Sequence, residues 1–151
     1  MNDVLDAIKN YNNFVVLTHL NPDGDAVGSS RALTLALRKF GKQAQSVFLK
    51  EIPKKYSMPQ TDFEYTIYKK AQDFLDCDCV ICVDCADRRR LVECCELLKV
   101  KFVVNIDHHI TNYNYGSVNC VCDLASNGEI VFDVIKALGV PFDKKIAANL
   151  Y

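Results

Sequence analysis

Apolar positions along the chain follow two rhythms. Residues 14–17, Phe-Val-Val-Leu, form an unbroken β-prone run. That pattern predicts a strand over 14–18 with both faces buried. Residues 26–40 instead space apolar side chains at 33, 35, 36, 37 and 40 and stop at Gly41, which predicts a helix with a glycine stop. Val4, Leu5 and Ile8 predict a short helix over 3–11. Further strands are expected at 43–49, 79–84, 101–106 and 116–122. "RRRLVECCELLK" (88–99) predicts a helix. Ser126-Asn127-Gly128-Glu129 has capping-box spacing before the helical "IVFDVIKALG", and another helix is expected to begin at Asp143. Residues 50–70, broken by Pro53 and Pro59, are the least regular. Within them "FEYTIYKK" suits a short strand, and 71–76 suit a helical turn.

Strands alternating with helices predict an α/β fold of three Rossmann-like layers. The expectation is a parallel five-stranded sheet, order 2-1-3-4-5, with helices on both faces. Ligands in such sheets bind beyond the carboxyl ends of the strands. Polar residues gather at those ends: His19, Asp23 and Asp25 after the first strand, Asp84 after the third, and Asp107-His108-His109 after the fourth.

Composition adds mainly exclusions. A chain of 151 residues, half hydrophobic and one quarter charged, is one globular domain by size. A net charge of -1 excludes a protein that holds nucleic acid by bulk charge, but not a local pocket for a short one. The N-terminus lacks the basic-then-apolar pattern of a signal peptide, and no apolar run reaches the roughly 18 residues of a membrane span. No membrane association and a cytoplasmic location are therefore expected. Eight cysteines include Cys79, Cys82 and Cys85, a spacing that suggests a metal cluster. In a strand, residues three apart point to opposite faces, so these three do not converge. Buried free thiols are the expectation.

Each polar strand end has an ordinary explanation alone. "PDGD" reads as a turn, Asp84 as a helix cap before "ADRRRL", and His108-His109 as loop histidines. Together they gather all three histidines of the chain and four aspartates at one edge. Carboxylates and imidazoles suit manganese, magnesium, zinc or iron. Two such ions a few ångströms apart polarise a phosphoryl group. Gly28 would let a backbone approach closely, and the start of the 26–40 helix would offer N–H groups to an anion.

These residues resemble the signature of the DHH family of phosphoesterases. His19 to Ser29 match H-x-x-P-D-x-D-x-x-G-S, Asp84 is the lone strand-end aspartate, and Asp107-His108-His109 match D-H-H. "NPDGDAVGS" and "NIDHHITN" are most similar to its nanoRNase branch. The resemblance implies two manganese ions, with magnesium or another divalent ion as substitute. His19, Asp23 and Asp84 would hold one ion, and Asp25, Asp84 and His108 the other. His109 would contact substrate phosphate, and Asp107 would orient the histidine pair. Ser29 and Arg90 would assist substrate binding, and Asn112 matches the family's D-H-H-x-x-N.

The implied reaction is attack by a metal-held hydroxide on short oligoribonucleotides or 3′-phosphoadenosine 5′-phosphate. Inorganic pyrophosphate and cyclic dinucleotides are same-class alternatives. A non-catalytic nucleotide- or metal-binding domain and a cysteine-ligated redox module are alternatives of other classes. A homodimer fits the family. The family pattern also carries a fourth metal-binding aspartate after a segment like "IAANLY" and a C-terminal DHHA-type substrate domain. Residues 1–151 are thus expected to be a catalytic domain truncated before both, weakly active or inactive alone.

Overall fold

The computed structural model describes residues 1–56, 63–99 and 101–151; Pro59 lies outside them. The strands are β1 (Asn13–Leu17), β2 (Gln43–Phe48), β3 (Thr66–Ile67), β4 (Cys79–Val83), β5 (Phe102–Asp107) and β6 (Val118–Val121). The α-helices are α1 (Asn2–Asn10), α2 (Gly24–Lys39), α3 (Cys95–Leu98), α4 (Asn127–Ala137) and α5 (Lys144–Leu150). The strands form one sheet in the order β3-β2-β1-β4-β5-β6, and every pair is parallel. This corrects the expected five strands in order 2-1-3-4-5. The two-residue β3, from the "FEYTIYKK" segment, pairs outside β2, so there are six strands and every later strand moves up one number.

Strand alternation divides the core. Phe14, Val16, Cys79, Ile81 and Val83 face one side, which α1, α2, α4 and α5 cover. Val15, Leu17, Val80 and Cys82 face the other. That second face is covered by α3 and by 3-10 turns at Ala71–Phe74 and Arg88–Cys94. The single helix expected over 88–99 is therefore two pieces, a 3-10 segment kinked at Val92 followed by the single-turn α3. Leu91 before the kink, Cys94 after it and Leu97 in α3 all reach the core.

α2 starts at Asp23, whose side chain accepts a hydrogen bond from the Ala26 N–H at 3.0 Å. It ends at Gly41, φ +90°, where the Lys42 N–H reaches back to the Leu37 carbonyl at 2.9 Å; this closure needs a left-handed residue. Among the described residues no helix is long and apolar enough to cross a membrane.

All eight cysteines are free, six of them buried and only Cys95 and Cys122 partly accessible. Cys79 lies in the core of one sheet face, Cys82 and Cys85 in that of the other. Burial raises the Cys85 thiol to about 11 and the Cys94 thiol to about 12, so neither supplies a thiolate at neutral pH. A thiol reagent is expected to modify Cys95 and Cys122 first in the native protein, at a rate held down because partial burial raises both thiols, and the other six only on unfolding. Rapid modification of all eight would contradict this packing.

Candidate metal centre

Asp84 sits directly after β4 with a left-handed backbone, φ +53°. Such a conformation costs a non-glycine residue of order 1–3 kcal/mol and marks functional positions. The side chain is only 3% exposed, and its Oδ1 has no hydrogen-bond partner. Burial pushes this carboxyl above the ordinary carboxylate range. The His19 side chain opposes that rise, and the charges of Asp25 and Asp23 add to it. Three histidines surround it. His108 Nε2 lies 3.4 Å and His109 Nδ1 3.7 Å from Oδ1, and His19 Nε2 lies 3.8 Å from Oδ2.

The frame behind each ligand is visible. His19 follows β1 and is buried. Asp23 caps α2 through Oδ1, and one of its carboxylate oxygens lies within 4.8 Å of ligand atoms of His19 and Asp84. His108 Nδ1 lies 3.1 Å from the Leu124 carbonyl. A carbonyl only accepts, so Nδ1 carries the proton and Nε2 keeps a lone pair toward Asp84. His109 Nδ1 lies 2.7 Å from Asp107 Oδ1, so its free nitrogen is Nε2. Asp107 has no solvent exposure, and its Oδ2 accepts from Asn112 Nδ2 at 2.6 Å. Among the described residues two trios offer ligand atoms within 4.8 Å of one another: His19, Asp23 and Asp84, and Asp84, His108 and His109.

Asp25 stands apart from both trios. Its Oδ2 accepts from the Asn127 N–H at 2.7 Å and its Oδ1 from the Gly128 N–H at 2.9 Å. It thereby caps α4. The expected capping box is absent, for Ser126 makes no side-chain cap; a carboxylate from across the chain takes its place. Asp25 Oδ2 still lies 3.8 Å from His108 Nε2. Ser29 donates to Asp25 Oδ1 at 3.2 Å, so it positions that carboxylate. The close approach at Gly28 is to the Asn149 carbonyl of α5, and the Ala26 N–H, expected to meet an anion, is taken by Asp23. Arg90 has an exposed side chain, while its carbonyl accepts from the Leu20 N–H at 3.0 Å.

Asn105 was missed by sequence reasoning. Fully buried in β5, it donates to the Cys85 carbonyl at 3.2 Å, and its Oδ1 accepts from Asn112 Nδ2 at 2.8 Å. It thus ties the turn carrying Asp84 to the loop carrying His109. The signal was present: one amide inside the apolar run "KFVVNI" must find partners once buried.

A family profile described as "DHH family, N-terminal domain" matches residues 13–151. A bifunctional oligoribonuclease and PAP phosphatase NrnA from Thermus thermophilus is 34% identical over 139 residues, 87% of this chain and 39% of the relative. The chain thus spans about two fifths of that relative's length. A crystal structure of an exopolyphosphatase-related protein from Bacteroides fragilis superposes with a TM-score of 0.86 at 22% identity, covering all of this chain and 48% of that one. Exonuclease RecJ bound to manganese gives 0.59 at 17% identity, over 98% of this chain and 40% of that one. Both structures share the fold.

Proposed function

Since this chain belongs to the DHH family, we propose that it holds the metal centre of a manganese-dependent phosphoesterase acting on short oligoribonucleotides, 3′-phosphoadenosine 5′-phosphate, or both. The observation that carries the proposal is Asp84. A buried carboxylate in a strained turn, with one oxygen lacking any partner and three imidazoles within 4 Å, suits a divalent cation and little else. The donor set is oxygen and nitrogen only, which favours manganese, magnesium, zinc or iron over softer ions.

In this proposal His19, Asp23 and Asp84 would hold one ion, and Asp84, His108 and Asp25 a second. Such ions would supply Lewis-acid polarisation of the phosphoryl group and a more acidic attacking water. The remaining work falls to the chain. Asp107 takes the Nδ1 proton of His109 and fixes the ring; Nε2 then donates to a phosphate oxygen in the imidazolium form, which carries a proton on both nitrogens. His108 is held in the one tautomer that can ligate through Nε2. The relative's printed activities, oligoribonuclease and PAP phosphatase, support the substrate class.

The test is a hydrolysis panel on the full-length protein with manganese. Turnover of short RNA or 3′-phosphoadenosine 5′-phosphate, abolished by chelation and restored by manganese, is expected. Turnover confined to pyrophosphate or cyclic dinucleotides would place the activity elsewhere in the superfamily. No turnover with any divalent ion would leave a binding domain.

A further inference from the structure

Beside the centre lies a cluster for which the ligand scheme has no use. The chain from Ala86 to Arg90 is tied to the loops that follow His19 and His109. The Leu20 N–H, next to His19, donates to the Arg90 carbonyl at 3.0 Å, and the Tyr113 N–H, four residues past His109, donates to the Ala86 carbonyl at 3.0 Å. Between these ties a depression of about 450 Å³ is lined by Asp87, Arg88, Arg89, Tyr113 and Tyr115.

Tyr115 explains itself structurally, since its hydroxyl bonds the Cys85 carbonyl at 2.9 Å and accepts from Asn105. Tyr113 does not. It is 68% exposed, contributes to no core cluster, and carries the Arg89 guanidinium 5.6 Å from its ring centre. Arg89 in turn is clamped by Asp87, with Nε and Nη2 at 2.7 and 2.6 Å from Oδ2. The clamp holds the cation above one face of the ring, and the Arg89 side chain is itself 76% exposed.

We propose that Tyr113, Arg89 and Arg88 form a nucleotide subsite for the nucleoside adjoining the phosphate at the centre. The base stacks on the Tyr113–Arg89 pair, and the next phosphate pairs with Arg88. Aromatic rings and guanidinium planes accept any base by its π-face, and arginine adds a cationic partner for the backbone. Naming a nucleotide as the occupant rests on the function proposed above. The consequence is selectivity: a substrate with a base in this position gains affinity that a bare phosphoester lacks.

The test uses Tyr113→Ala, Tyr113→Phe and Arg89→Ala in the full-length protein. Titration with a 2-aminopurine dinucleotide, whose fluorescence is quenched on stacking, reads binding without turnover. Tyr113→Ala is expected to weaken binding and raise KM about tenfold, with kcat within about twofold, the signature of lost ground-state binding. Arg89→Ala should weaken both in the same direction, and Tyr113→Phe should behave as wild type. An abasic analogue should bind wild type and Tyr113→Ala alike. Unchanged dinucleotide binding by Tyr113→Ala, or an equal loss with the abasic analogue, would overturn the subsite. Quenching by wild type but not by Tyr113→Ala, without hydrolysis, would keep the subsite and overturn the enzyme. A wild type that neither binds nor cleaves would overturn both.

Discussion

Asp84→Asn is expected to lower hydrolysis by the full-length protein on the order of a thousandfold, well beyond the 10–100-fold that an outer partner of a metal ligand costs. Melting temperature should hold or rise. Asparagine keeps the shape of aspartate and tolerates the left-handed region, so the φ of +53° survives the change. It also removes a buried charge whose Oδ1 has no protein partner. Loss of activity without loss of stability would therefore separate a ligand from a structural residue. Alanine is the poorer test, because a left-handed backbone adds strain of its own to that variant. Turnover within tenfold of wild type would mean that Asp84 bridges nothing.

Gly28→Ala should be the most damaging small substitution for the fold. A Cβ there would lie 2.3 Å from the Asn149 carbonyl oxygen of α5, and a backbone atom cannot rotate aside as a side chain does. Overpacking of this kind costs about 1–3 kcal/mol, and for a chain of this size each kcal/mol lowers the melting temperature by roughly 2–4 °C. A fall of about 5–10 °C is expected in thermal denaturation. Because α2 also carries Asp23 and Asp25 at its start, manganese affinity should weaken in parallel. An unchanged melting temperature would show that α5 does not seat on α2 in solution.

The parts of the fold visible in the sequence were those set by local rhythm. β4 is a fully buried run, β1 and β5 are buried past their first residues, and α2 has its cap at Asp23 and its glycine stop at Gly41. β3 was harder, since two residues carry no period, and it exists only by pairing with β2. The 88–99 segment misled because nothing in its apolar spacing marks the break at Val92, whose φ of +47° divides it. At the centre, residue types and strand ends pointed to His19, Asp23, Asp84, His108 and His109, which the fold brings together at one edge. Long-range partners stayed hidden: nothing near Asp25 in sequence announces the α4 amides, and nothing near His108 announces the Leu124 carbonyl. Those contacts join residues 16 to 103 positions apart, beyond the reach of any local pattern.

The dipeptide step from Asp23 to Asp25 has a consequence for how the centre comes into being. Asp23 closes the start of α2 and Asp25 the start of α4, so the positive poles of two helices converge on neighbouring carboxylates. A crowd of acids that would otherwise repel is assembled and held by folding itself. Cations bound as proposed would enter a mould that helix capping already holds, and their uptake would not have to organise the chain.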